Sequence, residues 1–138
     1  MSTITREQLA EFLLTEFPQT KCTIEELGRR SAAVRHEVGF DELRPGGTVS
    51  GPVLMAVADV ALYVAILGEI GLQPLAVTTS LSINFLRKPD QGSLYGACRI
   101  LKLGKRLAVA EVFITCGDDD NPVAHATATY SIPPRETL

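Results

Sequence analysis

The feature that most constrains the fold of this chain is one acidic residue inside a long apolar segment. Residues 52–67 contain no charged side chain except Asp59. Removing an unpaired charge from water costs several kcal/mol, whereas a whole domain is stable by only about 5–15 kcal/mol. Asp59 must therefore be paired, protonated or in contact with a wet cleft, and it is the leading candidate for a functional residue.

The same segment is a poor candidate for a membrane span. It is 16 residues long, whereas a helix needs about 20 residues to cross a bilayer. An aspartate at its centre would add about 2.5–3.5 kcal/mol to the free energy of insertion. A helix that is apolar on all sides is otherwise expected in a protein core, so we predict no membrane span.

Length and composition indicate one globular domain over residues 1–138. Hydrophobic residues make up 46% of the chain, which is enough for a packed core. The net charge is −3 and there is no basic arm, so nucleic-acid binding is not expected. Three cysteines without a metal-ligand spacing, and first residues unlike a signal peptide, favour buried thiols in a cytoplasmic protein.

The periodic segments predict two helices and a set of strands. Within an N-terminal segment, residues 1–20, Thr5 is expected to cap the first helix. Gly51-Pro52 is expected to open a central helix over residues 51–70, because proline suits the first helical turn. Alternating residues predict strands at 22–27, 32–38, 77–85, 94–103, 107–116 and 123–132.

The connections and the small residues of the central helix suggest how these elements pack. A turn is expected at 87–92, and turns at 104–105 and 117–122 would join the last three strands into an antiparallel meander. Ala58, Ala61 and Ala65 would let a sheet approach the central helix closely. The predicted architecture is therefore α+β, an antiparallel sheet wrapped around a long central helix.

Six short segments, in this order and spacing, resemble the hotdog fold and in particular the PaaI-like acyl-CoA thioesterases of the phenylacetate-degradation type. They are GTVSG at 47–51, AVADVA at 56–61, VT at 77–78, INFL at 83–86, GKRLA at 104–108 and AHATATY at 124–130. The resemblance covers roughly residues 22–133. It implies a homodimer or a homotetramer built from two dimers, with active sites formed by both subunits and no metal or redox cofactor.

The resemblance also implies hydrolysis of an acyl-CoA thioester to the free acid and CoA. The family's helix carboxylate, a general base or nucleophile, corresponds to Asp59, and its carbonyl-polarising amide corresponds to Gly51. Physical reasoning agrees for Gly51, because unpaired amides at a helix N-terminus stabilise an oxyanion. Asp59, two turns further along the helix, is expected to direct water at the same carbonyl, with Thr78 of the neighbouring subunit positioning that water.

Two departures from the family pattern keep other functions open. The family usually has His-Gly-Gly where this chain has Ser50-Gly51-Pro52, and asparagine where it has Arg44. Ser50 is expected either to cap the helix or to contact substrate, and Arg44 to lie either on the surface or in the cleft. The alternatives are a non-catalytic acyl-thioester-binding module and a 3-hydroxyacyl-thioester dehydratase, which usually pairs a histidine with the carboxylate.

Several further residues are candidates for substrate contacts. Met55, Leu62 and Tyr63 lie near Asp59 at helical spacing and are predicted to contact the acyl group. Two basic turns, Arg87-Lys88 and Lys105-Arg106, are either solvated charges or ligands for the phosphates of CoA. The sequence does not separate CoA from an acyl carrier protein as the thioester carrier.

The two histidines are interpreted as structural. His36 and His125 fall in predicted strands, and neither has a partner nearby in the sequence. A lone histidine is poor evidence for a metal site or a catalytic triad.

Overall fold

The computed structural model describes residues 4–89 and 92–134. The helices and strands in chain order are α1 (Arg6–Glu16), β1 (Cys22–Gly28), β2 (Ser31–Glu37), α2 (Gly51–Ile70), β3 (Val77–Phe85), β4 (Ser93–Leu103), β5 (Leu107–Cys116) and β6 (Asp119–Ser131). Residues 1–3, 90–91 and 135–138 lie outside the described residues. They belong to the predicted N-terminal segment, the predicted 87–92 turn and the C-terminal end of the predicted domain, respectively.

The six strands form one antiparallel sheet in the order β1-β2-β4-β5-β6-β3. The predicted meander of the last three strands is confirmed as β4-β5-β6. β3 crosses over to pair with β6, and it therefore forms one edge of the sheet. Val77 and Phe85 on this edge strand are each about half exposed.

α1 begins at the predicted cap. The Gln8 N–H donates to the Thr5 hydroxyl at 3.1 Å, and the Thr5 N–H donates to the Gln8 side chain at 2.9 Å. This reciprocal pair satisfies two amides that the first helical turn leaves free. Leu9 and Leu13 are buried and pack the helix against β1 and α2.

The sheet wraps around α2, as predicted. The small residues Ala58, Ala61 and Ala65 are buried on this helix. Gly96 of β4 lies so close that a Cβ there would stand 3.0 Å from Val57 Cγ1 and 3.4 Å from Ala61 Cβ. Glycine therefore lets the sheet approach the helix at this point.

The length argument against a membrane span is wrong, because α2 continues to Ile70 and has 20 residues. By length and composition alone it could cross a bilayer, which is weak evidence. Within the most apolar 18-residue stretch of α2, 56% is buried inside the fold. This burial is what the core helix of a wrapped sheet requires.

Two features of the strands differ from the sequence predictions. The 117–122 segment is not a turn throughout, because β6 begins at Asp119 and Gly117 takes a left-handed φ of 60° that allows a tight connection. In β3, the pairing with β6 shifts between Thr78 and Ser80. Such a bulge changes which face of the sheet a side chain meets, and it places the Thr78 side chain on the face that meets α2.

Candidate active site

Asp59 lies on the face of α2 that the sheet leaves uncovered. Met55 and Tyr63 on the same face are partly exposed, whereas the adjacent Ala58 and Leu62 are buried. Asp59 is itself partly exposed, and its Oδ1 accepts a hydrogen bond from the Thr78 hydroxyl at 2.5 Å. The Asp59 carboxylate is therefore both hydrogen-bonded and open to solvent. Either of these situations is enough to explain a charged residue in an apolar helix.

The Asp59–Thr78 contact is made within one chain. The bulge in β3 turns Thr78 toward α2. The prediction that Thr78 reaches the Asp59 site from the neighbouring subunit is therefore wrong. Because Thr78 occupies one carboxylate oxygen, the second oxygen remains available to accept a proton from water.

A cavity of about 450 Å³ opens beside Asp59 and is called here the carboxylate cavity. Three aromatic rings line it: Phe17 and Tyr63 meet edge to face at 6.2 Å, and Tyr63 and Tyr130 lie 6.5 Å apart. Burial, followed by the Asp59 charge, raises the pKa of Tyr130 far above its usual range, although a hydrogen bond with Thr78 opposes this rise. Thr78 and Tyr130 are paired across β3 and β6, and both line this cavity.

A second cavity, of about 720 Å³, lies at the N-terminus of α2 and is called here the amide cavity. Gly51 is the first residue of the helix, so its N–H has no intrahelical acceptor, and no other group in the described part of the chain accepts from it. The Ser50 hydroxyl makes no capping hydrogen bond and lines the cavity instead. An unpaired amide at a helix N-terminus is suited to hold an oxyanion.

The amide cavity is cationic. Arg44, Arg87 and Lys88 line it, and none of its described lining residues is an aspartate or glutamate. Arg44 is exposed and also lines this cavity, so it lies at the surface around the opening of the cleft. Three cations around one opening are suited to bind phosphate groups.

Gly51 and Asp59 are too far apart to act on one carbonyl within a single chain. They are separated by eight residues, which is about 12 Å along a helix axis. An oxyanion donor must lie about 3 Å from the oxygen that it stabilises. The expectation that both residues of one helix serve the same carbonyl is therefore wrong. The described lining residues of the two cavities also do not overlap.

Four other predicted substrate contacts are not among the described lining residues of these two cavities: Met55, Leu62, Lys105 and Arg106. Met55 is exposed on the open face of α2 instead. Leu62 is 1% exposed and packs in the core, so the prediction that it contacts the acyl group is wrong for this chain. Lys105 and Arg106 line a different cavity together with Glu69, near the C-terminal end of α2. That end lies about 28 Å from Gly51 along the helix, so the two predicted basic turns do not form one phosphate site in the chain.

The loop that leads to Gly51 is held by a buried pair that the sequence analysis missed. His36 is 5% exposed, and its Nε2 lies 2.9 and 3.0 Å from the two Glu42 carboxylate oxygens. Glu42 also accepts from the Gly39 N–H at 2.8 Å, and its backbone carbonyl accepts from the Ser50 N–H at 3.2 Å. His36 is thus structural, as predicted. It fixes Glu42, and Glu42 in turn holds Ser50, the residue that precedes the candidate oxyanion amide of Gly51.

Cys22 and Cys98 are free thiols in the structure. Burial raises the pKa of Cys22 to about 11 and that of Cys98 to about 12, so both remain protonated near neutral pH. The prediction of buried thiols is confirmed for these two, whereas Cys116 is partly exposed. Among residues 4–89 and 92–134, no three His, Cys, Asp or Glu side chains come together as metal ligands.

A long helix wrapped by an antiparallel sheet defines the hotdog fold, and in this chain the open face of that helix carries the Asp59 carboxylate. Comparison with known proteins supports this class directly. Residues 46–123 match the family model of the thioesterase superfamily. Because the match covers more than half of the sequence, the chain belongs to the thioesterase superfamily, whose members hydrolyse thioesters.

Solved structures refine this assignment. A protein from Silicibacter sp. TM1040 assigned as a thioesterase is 41% identical, with a TM-score of 0.88 over 97% of this chain and 95% of that one. A variant of the phenylacetic acid degradation protein PaaI from Thermus thermophilus is 25% identical, with a TM-score of 0.72 over 88% and 97%. The Escherichia coli PaaI protein is 23% identical and shares the fold, with a TM-score of 0.77 over 91% and 96%.

The predicted resemblance to PaaI-like hotdog thioesterases is thereby confirmed. No curated protein matches the sequence at a significant level.

Proposed function

We propose that this chain hydrolyses acyl-CoA thioesters at a site that two copies of the chain complete. The observation that carries the proposal is the position of Asp59 and Gly51 on α2, about 12 Å apart along the helix. Two such helices, packed antiparallel about a two-fold axis, would place the Gly51 amide of each chain beside the Asp59 of the other. The midpoint of positions 51 and 59 is Met55, so the axis would pass close to this residue.

The exposed surface supports such a pairing. Pro52, Met55 and Ala56 form an uncovered apolar stripe on α2, in line with Asp59. The neighbouring edge strand β3 exposes apolar side chains at both of its ends, Val77 at 53% and Phe85 at 52%. Exposed apolar surface of this kind usually marks an interface, and an open strand edge can pair with its own symmetry copy.

The chemistry follows from this arrangement. Asp59, oriented by Thr78, removes a proton from water while the water oxygen forms a bond to the thioester carbonyl carbon. The carbonyl oxygen becomes negative and accepts a hydrogen bond from the Gly51 N–H of the other copy. Collapse of this intermediate breaks the carbon–sulfur bond, and the CoA thiolate leaves and is protonated.

The cationic amide cavity favours CoA as the carrier. The nucleotide end of CoA carries a diphosphate and a 3′-phosphate, whereas an acyl carrier protein presents one phosphodiester. Arg44, Arg87 and Lys88 at the amide cavity match the first pattern better. Neither cavity is lined by a histidine among the described residues, which argues against the dehydratase alternative.

The test is release of free CoA thiol from a panel of acyl-CoA thioesters, with Asp59→Asn as the comparison. We expect hydrolysis by the wild type and a loss of at least about 100-fold in the variant, as for removal of a general base. Binding of acyl-CoA without turnover would instead support the non-catalytic binding module. Equal turnover by both proteins would remove Asp59 from the mechanism.

A further inference from the structure

The carboxylate cavity carries only negative formal charge. Glu16 and Asp59 line it, and no lysine, arginine or histidine is found among its described lining residues. The amide cavity has the opposite character, with three cations and no carboxylate in its described lining. The two ends of a bound thioester would therefore meet opposite electrostatic environments.

Glu16 is held beside the carboxylate cavity by the end of α1. It is the last residue of this helix, and the next residue, Phe17, is the helix cap whose ring packs against Tyr63 at 6.2 Å. The pKa of Tyr63 is raised by burial and then by the negative charge of Glu16. The Glu16 charge is thus felt at a ring that lines the cavity.

The wall that carries Glu16 lies outside the part of the chain that defines the family. The thioesterase superfamily match covers residues 46–123, whereas α1 covers Arg6–Glu16. Asp59, Thr78 and Gly51 all fall within the matched residues. Glu16 is therefore placed to alter substrate choice without being one of the groups assigned to the reaction.

We infer that Glu16 makes this site discriminate against acyl groups that end in a carboxylate. The inference rests on the proposed function, in which the acyl chain runs from the thioester past Asp59 into the carboxylate cavity. A sphere of about 450 Å³ is about 10 Å across. A substrate carboxylate inside it, about 10 Å from Glu16 at an effective dielectric constant of about 20 to 40, would be disfavoured roughly 5- to 15-fold.

The experiment compares hexanoyl-CoA with adipoyl-CoA, which has the same six-carbon chain with a carboxylate in place of the terminal methyl group. We expect Glu16→Gln to raise kcat/KM for adipoyl-CoA roughly 5- to 15-fold at low salt and to change that for hexanoyl-CoA by less than about 2-fold. Glu11→Gln is the matched control, because Glu11 is an exposed glutamate of the same helix and does not line the cavity. It should change neither value.

An unchanged adipoyl-to-hexanoyl ratio in Glu16→Gln, with hydrolysis intact, would overturn this inference and leave the proposed function standing. Absence of hydrolysis of every thioester by the wild type would instead contradict the proposed function. In that case, calorimetry measures the binding of the thioether analogues of hexanoyl-CoA and adipoyl-CoA, in which a CH₂ group replaces the thioester carbonyl so that hydrolysis is not needed. A gain in Glu16→Gln confined to the carboxylate-bearing thioether supports the role of Glu16, and equal changes or no binding refute it.

Discussion

Replacing Gly51 by proline would remove the candidate oxyanion donor at a helix position that tolerates proline. Proline lacks the N–H, and the first position of a helix is where that N–H is not needed by the helix itself. Ser50, which would precede the new proline, already has an extended conformation with φ −72° and ψ 151°, as a residue before proline prefers.

The expected loss can be estimated from the role of the amide. Removing one oxyanion-hole donor costs about 10²–10³ in kcat, or about 2.7–4 kcal/mol of transition-state stabilisation. Gly51→Ala is the control, because it also adds a Cβ but keeps the N–H. That Cβ would lie 3.4 Å from Phe85 Cζ, and the Phe85 ring is half exposed, so it can give way at little cost.

The assay is thiol release under saturating acyl-CoA, with thermal unfolding measured in parallel. Gly51→Pro should lose at least about 100-fold in kcat while its melting temperature stays close to that of Gly51→Ala. The reasoning would be refuted if the two variants retained the same kcat. It would also be refuted if alanine, which keeps the amide, were as inactive as proline while remaining folded.

Three further changes test other parts of the account. Thr78→Val removes the donor to Asp59 while keeping the shape of the side chain, so kcat should fall about 10-fold or more, and an unchanged kcat would exclude the contact from the mechanism. Burial raises the pKa of Glu42, but hydrogen bonds from Gly39 and His36 and the charge of Lys21 outweigh burial, so the folded-state pKa is lowered. The ionised Glu42 side chain therefore stabilises the fold at pH values above the unfolded pKa near 4.3. This stabilisation is lost as the pH falls through the lower pKa of the folded state. Glu42→Gln should cost about 1–3 kcal/mol near neutral pH, as measured by denaturant unfolding, and should remove this part of the acid dependence, whereas an unaltered pH profile would contradict the pairing. Met55→Glu places like charges beside the proposed two-fold axis, so sedimentation should show a monomer without hydrolase activity, and an active monomer would disprove a shared site.

The sequence was sufficient for the core of the fold. Asp59 in an apolar helix, the Gly51-Pro52 helix start and the period-2 strands together predicted a sheet around α2, and the family resemblance agreed. Local rules determine these features: helix-start chemistry, apolar burial and side-chain alternation. The boundaries were less well predicted, because Asp119 and its polar neighbours lie at an exposed hairpin tip where polarity does not distinguish strand from turn.

The geometry of the site depended on non-local pairing. The bulge that turns Thr78 toward Asp59 depends on how β3 pairs with β6, more than 40 residues later. The His36–Glu42 pair forms only when a loop folds back onto β2, and Lys105-Arg106 is separated from Arg87-Lys88 by the order of the strands. By contrast, the separation of Gly51 and Asp59 follows from helix rise alone, so it was predictable from the sequence.

The most direct measurement of the central claim is activity in a mixture of two inactive variants. Asp59→Asn and Gly51→Pro each remove one half of every proposed site. In a mixed dimer, however, one site combines the intact Gly51 of the first variant with the intact Asp59 of the second. Unfolding and refolding the two variants together at equal concentration should restore about a quarter of wild-type activity, since half of the dimers are mixed and each has one complete site. Activity no greater than that of the separate variants, with mixed dimers shown to form, would contradict a site shared between two copies.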